Sequence, residues 1–531
     1  MKQDIDVLIR GGKVYDGSGS EAFEADIAIA VGRIACVSFQ RDRNHGKVGT
    51  VIDAEGLSVS PGFIDTHAHS EFTLLADSRA EGKVLQGVTT EINGNCGLSA
   101  APLYGEAASH REKDLKELGI RERWSTFNEY FEILESRGLA INFATLTGHG
   151  NLRASVVGYD DRRPDNRESE RMCSLLKEAV QQGAFGISTG LIYPPGVYAE
   201  TDELIFLSKG VAHLIYTSHM RSEGDGVIEA IGETMKIGRE SGIAVHISHI
   251  KTGGKENWHK IDDVLYAIRS ARDEGLKVTA DRYPYTAAST DLDAVLPSWT
   301  YAGGSEEELK RLTNREVRAK IKGEILSCHP SVDYWDRITV SSVNRESNKW
   351  MEGERLSLLA EKKGMEPIDL LFDVLIEERL RVGAIFHSMN EDNLRRFLAE
   401  PYLMIGSDSS ARSTHGPTRK GKPHPRGFGS FPRFIGRYAR DGKEISMSEA
   451  IHKTTMLPAD TFGLRDRGLI KEGFYGDLVI FDESRITDRA TFEEPFLEPQ
   501  GVIYVLVNGA PIVWEGSQTG RRPGRVLRHG R

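Results

Sequence analysis

Two histidines one residue apart, His67 and His69, close the short apolar run Phe63-Ile64-Asp65-Thr66. Residues i and i+2 of a strand share a face, so both imidazoles can reach one point just past the strand's end. That spacing at the polar end of an apolar strand suits a metal ion better than a core hydrogen bond. The pattern recurs with other donors. Cys96 follows the strand-like run 87–92 inside Gly94-Asn95-Cys96-Gly97, His219 ends the run 214–219, and the run 243–249 carries His246 and His249. On a strand, positions 246 and 249 face opposite sides, so only one of them points to a shared centre. Tyr402-Leu403-Met404-Ile405-Gly406-Ser407 ends in the carboxylate of Asp408. Strand after strand thus delivers a metal-competent group. Each group also has a plainer reading. Cys96 could be a buried small hydrophobe, Asp408 a helix N-cap before Ser409-Ser410, and Lys251 a solvated surface lysine.

These groups need a scaffold that brings strand ends to one place. The middle of the chain alternates strand-like and helix-like runs, the pattern of a parallel sheet. Candidate strands are 62–67, 87–93, 141–147, 184–189, 212–218, 243–248, 276–283 and 401–407, with helices at 126–137, 169–182, 201–209, 227–241 and 261–274. Eight such units predict a (β/α)8 TIM-like barrel of class α/β, whose active site lies at the C-terminal rim of the strands. A ninth strand-like run, 382–387, spoils the count and reads as either an added strand or a rim segment. Residues 286–350 read as an insertion after the seventh strand, and the charged segment 103–125 as a helix at the rim. The two ends are β-rich, with Asn508-Gly509 a strong hairpin turn. They predict a small β-sandwich from 1–60 and 468–520 around a barrel at 61–467.

The chain's 531 residues carry a net charge of −10, with no basic run in the body, which argues against a nucleic-acid groove. The basic tail from Arg521 to Arg531 reads as a solvated terminus. No stretch approaches the ~20 apolar residues of a membrane span, and the N-terminus lacks the apolar core of a signal peptide. A cytoplasmic location is the expectation. Cys36, Cys96, Cys173 and Cys328 show no close pairing, so no disulfide framework is expected.

Longer stretches carry a resemblance. They are Pro61-Gly62-Phe63-Ile64-Asp65-Thr66-His67-Ala68-His69, Gly94-Asn95-Cys96-Gly97, Gly190-Leu191-Ile192-Tyr193-Pro194-Pro195-Gly196, Thr217-Ser218-His219-Met220-Arg221, Ser248-His249-Ile250-Lys251, Tyr283-Pro284-Tyr285 and Met404-Ile405-Gly406-Ser407-Asp408. With these the chain resembles the amidohydrolase superfamily, and within it the zinc-dependent N-acyl-D-amino-acid deacylases of the D-aminoacylase branch. The cysteine element discriminates, because many other amidohydrolases bridge their metals with a strand-borne lysine or a glutamate. The resemblance implies that Cys96, His219 and His249 hold the tighter Zn2+, with His67 and His69 forming a second, weaker position. It implies Asp408 as general base and then acid, and Lys251 and Tyr283 as ligands of the substrate α-carboxylate. Tyr193 and Ser289 are further candidates to line the site, with a packed tyrosine and a loop serine as the alternatives. His149 is a candidate outer ligand or a satisfied histidine. His246, His387, His415 and His424 carry no assigned role, and Arg433 is an anion contact or a structural ion pair.

The expected reaction is hydrolysis of an N-acyl-D-amino acid to a carboxylate and a free D-amino acid. The expected partner is a small molecule, not a nucleic acid or a membrane. An uncharged, largely apolar side chain is expected, since 286–304 contains no Lys or Arg, and Val295, Leu296, Trp299 and Tyr301 could wall a pocket. A cyclic amidohydrolase acting on a hydantoin-like ring is one alternative. A non-catalytic scaffold on the same fold is another.

Overall fold

A computed structural model describes residues 4–39, 46–329, 331 and 333–530. Eight parallel strands form the barrel: β1 (Phe63–Asp65), β2 (Val88–Asn93), β3 (Asn142–Thr145, resuming at Thr147–Gly148), β4 (Gly186–Gly190), β5 (Ile215–His219), β6 (Ala244–Ile247), β7 (Val278–Arg282) and β8 (Leu403–Ile405). Consecutive strands pair in parallel from β1 to β3 and from β3 to β8. The ring closes between β8 and β1, where Asp408 N donates to His67 O at 2.8 Å and Ala68 bridges Ser409. Nearly all strand residues are buried, as expected for strands covered on both faces.

The outer helices follow from local chemistry. Helix Asn166–Gln182 starts at a capping box in which Asp165 accepts from Glu168 N and the Glu168 side chain answers Asp165 N. It buries Met172, Cys173, Leu175, Leu176 and Ala179 along one stripe. Helix Phe127–Arg137 is capped in the same way by Thr126 and Glu129.

Both termini contribute to one nine-stranded sheet beside the barrel. Strand Ser58–Pro61 pairs antiparallel with Leu478–Phe481 and so joins the N-terminal strands to the C-terminal ones. The sheet's apolar core draws on Val7, Ile9, Ile27, Ile52, Ile480 and Leu506. Each such side chain contributes about 1.5–3 kcal/mol on burial.

Two expectations need correction, and the ninth strand-like run proves to be an added strand. The insertion does not stop at residue 350: its apolar core continues through Leu356, Leu371, Leu375 and Val382 to Ala384. The ninth strand-like run is Gly383–Phe386, the centre of a three-stranded antiparallel sheet with Ala288–Asp291 and Ile338–Ser342. It reads like a barrel strand because it is buried between two neighbours, but its partners belong to the insertion. The basic tail is not simply solvated. Phe143 N donates to Arg525 O at 2.9 Å and Leu527 N to Phe143 O at 2.7 Å, so the tail runs along β3. The segment 103–125 does contain a helix, Gly105–Glu117, and Arg381 of the insertion pins it through Asp114 at 2.8 Å and Glu117 at 2.6 Å. Among the described residues, no helix is long and apolar enough to cross a membrane.

Candidate metal centre and substrate site

The loop after β2 carries Cys96 into the barrel mouth. Gly94, Cys96 and Gly97 all have positive φ, and an added Cβ at Gly97 would meet Gly190 N at 2.7 Å. Only glycine allows that loop to lie flat across the end of β4. Cys96, His249 and Asp408 are themselves left-handed, with φ of 53°, 35° and 50°. Such backbone costs on the order of 1–3 kcal/mol per residue and clusters at functional sites. At His249 it turns the side chain out of the strand pattern. His246 instead stays in β6 and points to Asp281, 2.9 Å away.

Three overlapping donor groups result: His67 with Cys96 and His249, His67 with His69 and Asp408, and His219 with Glu223 and His249. Cys96 Sγ lies 3.2 Å from His67 Nε2 and 3.5 Å from His249 Nε2. Asp408 Oδ1 lies 3.3 Å from His69 Nε2 and 3.7 Å from His67 Nε2. His219 falls into a group with His249 rather than directly with Cys96, so His249 is the member common to the expected tight set. Both ring nitrogens of His219 are buried without a hydrogen-bond partner. Orphaned imidazole nitrogens beside a thiol fit a metal ion of the zinc type.

Toward the insertion, the site turns cationic. Lys251 Nζ contacts the Glu223 carboxylate and lies 2.8 Å from His249 Nδ1. Arg426 Nη1 lies 2.9 Å from Asp408 Oδ2, and its guanidinium sits 4.5 Å from the ring centre of Tyr283. The Tyr283 hydroxyl is fully buried and has no partner. Tyr193 places its ring 5.0 Å from that of His219 and shares a 2.8 Å hydrogen bond with Thr290. Ser289 is not available in the same way: its hydroxyl donates to Ala384 O at 2.9 Å inside the insertion sheet, and only its carbonyl faces Arg426.

Residues 50–209 and 345–513 match the Amidohydrolase family. A D-aminoacylase of Alcaligenes xylosoxydans xylosoxydans is 36% identical over 99% of this chain and 98% of its own. An N-acyl-D-glutamate deacylase of the same organism is 35% identical over 99% and 97%. This chain belongs to the amidohydrolase family. A solved N-acyl-D-glutamate deacylase from Bordetella bronchiseptica, complexed with zinc and a phosphonate mimic of the tetrahedral intermediate, matches this amidohydrolase with a TM-score of 0.82. That match has 32% identity and covers 99% of this chain and 100% of the other.

The charges of this amidohydrolase site are held by carboxylates that sequence reasoning passed over. Asp281, near the end of β7, accepts His249 N at 2.6 Å through Oδ1, while Oδ2 takes His246 at 2.9 Å and lies 3.4 Å from His67 Nδ1. Glu223 does the same for His249 and Lys251. A carboxylate at a strand end and the spacing His219-x-x-x-Glu223 were the available signals. His424 accepts Arg426 N at 3.0 Å and donates to Ala287 O, which holds the arginine in place. Burial opposes the charge on Asp408, but Arg426, the His69 hydrogen bond, His249 and His67 keep its carboxyl well below the usual range. Burial, then the Asp408 and Glu223 charges, push the Cys96 thiol well up. Burial keeps His219 and His67 neutral. The remaining candidates have ordinary duties. His149 pairs with Glu203 at 2.8 Å and Arg433 with Asp488 at 2.9 Å. Leu296 and Tyr301 lie in the insertion's own core, with Val295 and Trp299 packed against it.

Proposed function

We propose that this chain is a zinc-dependent N-acyl-D-amino-acid deacylase that prefers an uncharged side chain. The observation that carries the reading is one barrel rim holding two things side by side. One is a buried thiol and imidazole set with an ionised carboxylate. The other is a cationic pocket of Lys251 and Arg426 around an unpartnered tyrosine hydroxyl. Cys96, His219 and His249 would hold the tighter zinc, and His67 with His69 and Asp408 the weaker position. Zinc in such a donor set supplies Lewis acidity, polarising a carbonyl and making water acidic near neutral pH. Asp408 receives the proton of the attacking water on its carboxylate and returns it to the leaving amine. Lys251, Arg426 and Tyr283 give charge-assisted hydrogen bonds to the α-carboxylate, which orients the amide. A cyclic ring substrate would leave that pocket unmatched.

The side-chain preference rests on charge. Lys251, Arg426 and Arg433 each already face a carboxylate, and Arg282 is spent on Ile250 O and Tyr285 O. Segment 286–304 contains Asp291 and Asp293 and no Lys or Arg. An acidic side chain would find no unengaged cation among these groups. The D-aminoacylase and the N-acyl-D-glutamate deacylase are almost equally similar to this chain, so identity alone does not choose. The test is kcat/KM for N-acetyl-D-leucine, N-acetyl-D-methionine, N-acetyl-D-glutamate, their L-enantiomers and a hydantoin. The D-leucine and D-methionine derivatives should lead. A lead for the glutamate derivative would overturn the side-chain reading, and a lead for the hydantoin would overturn the reaction.

A further inference from the structure

Glu223 has a position that the proposed reaction does not use directly. It lies in the loop after β5, four residues beyond His219, and reaches over to the loop after β6. The two loops are clipped together: Gly253 N donates to Glu223 O at 2.6 Å, and Asn257 donates to both Asp225 and Gly253 O. Gly224 and Gly253 permit this approach, since an added Cβ at either would sit 3.0–3.1 Å from a carbonyl oxygen of the facing loop. The clip places the Glu223 carboxylate between two groups of different purpose. Oε1 is 2.8 Å from His249 Nδ1 and also contacts Lys251 Nζ, while Oε2 is 3.8 Å from His219 Nε2.

We propose that Glu223 is a positioning residue that joins the metal-facing imidazole of His249 to the carboxylate-binding ammonium of Lys251. The proposal rests on the zinc deacylase reading above. The role of Glu223 depends on which nitrogen of His249 carries the proton. His249 Nε2 faces Cys96 at 3.5 Å, so it must offer a lone pair to a metal, and Nδ1 must then carry the hydrogen. Two neighbours compete for Nδ1 at the same 2.8 Å: Glu223, which can accept from N–H, and Lys251, which can only donate. A lysine hydrogen bond to Nδ1 would put the proton on Nε2 and spoil the ligand. Glu223 settles the competition. It accepts from Nδ1 and engages the ammonium itself, so Lys251 is held beside His249 without donating to it. Carboxylates behind ligating histidines typically affect metal affinity about 10–100-fold.

The test is zinc affinity by chelator competition on the full-length protein, wild type against Glu223→Ala and Glu223→Gln, with thermal melting of the metal-free forms as a folding check. Glu223→Ala should weaken zinc by about 10–100-fold. Glu223→Gln, whose amide oxygen still accepts from Nδ1, should retain affinity within about threefold. The glutamine variant should lose hold of Lys251, raising KM for N-acetyl-D-methionine more than for its amide. Wild-type affinity in Glu223→Ala would overturn the proposal. So would equal weakening in both variants, which would make Glu223 a direct ligand. So would equal KM changes on acid and amide, which would break the link to Lys251. A wild-type protein that binds no zinc would instead overturn the functional reading.

Discussion

Asp408→Asn removes the proton acceptor and keeps its shape. The wild-type carboxylate is held ionised by Arg426, His69, His249 and His67 against the cost of burial, so it is a ready base at any neutral assay pH. A positioned general base contributes ~10²–10⁴-fold, or about 3–5 kcal/mol of barrier. The loss should appear in kcat, because the asparagine fills the same space beside His69 and Arg426. A second effect accompanies it. Arg426 is 4% exposed and loses a carboxylate 2.9 Å away. Breaking a buried pair outright costs about 3–5 kcal/mol. Here the amide oxygen still accepts, and Arg426 keeps Ser289 O and the Tyr283 ring. The stability loss should therefore be nearer ~2 kcal/mol. The assay is kcat and KM on N-acetyl-D-methionine, with zinc content and a denaturant melt on the same preparation. A kcat within about threefold of wild type at full zinc content would refute Asp408 as the proton carrier.

Cys96→Ala should lose bound zinc and activity together, and full zinc content by elemental analysis in that variant would remove the thiol from the ligand set. The pH dependence of zinc uptake follows from the same residue. Burial and nearby carboxylates push its thiol up, so thiolate ligation displaces its proton. The affinity for the tight site should therefore rise as pH rises between pH 6 and 8. A flat profile in chelator competition would contradict thiolate ligation. Lys251→Met should cost on the order of 2–5 kcal/mol in kcat/KM for N-acetyl-D-amino acids. Their amides should lose far less, and equal losses on the two substrates would argue against a carboxylate contact.

The parts of this molecule that were legible in sequence are those where local pattern and tertiary role coincide. His67 and His69 lie just past β1, and His219 closes β5, so periodicity alone aims them at the rim. The eight strands were readable because each is a buried run followed by a polar group. The strand Gly383–Phe386 has the same local look, and only its non-local antiparallel partners separate it from the barrel. Ser289 shows the limit of face arguments. Its register in the insertion sheet sends its hydroxyl to Ala384 rather than to the site. Glu223, Asp281, His424 and Arg426 were hard to read because their direction depends on loops closing on one another. The clip between Glu223 and Gly253 spans two loops on different strands. The tail misled through composition: its backbone, not its arginines, makes the contacts with β3.

The site's charges fall into three carboxylate-centred sets, and each is assembled across strands. Asp281 from β7 serves His67, His246 and the His249 backbone. Glu223 after β5 serves His249 and Lys251, and Asp408 after β8 serves His69 and Arg426. Closure of the barrel, rather than any local segment, therefore sets the site's geometry. All three carboxyls are held well below the usual range by these cations and imidazoles despite burial. They keep their charge across the working pH range and have no proton to give. Two donors behave otherwise. Burial pushes the Cys96 thiol up; at His69 burial acts downward, but the hydrogen bond to Asp408 and the Asp408 and Glu71 charges together raise it. Metal uptake then draws a proton from Cys96 at the tight position and from His69 at the weak one. The two positions should therefore fill with different pH dependences.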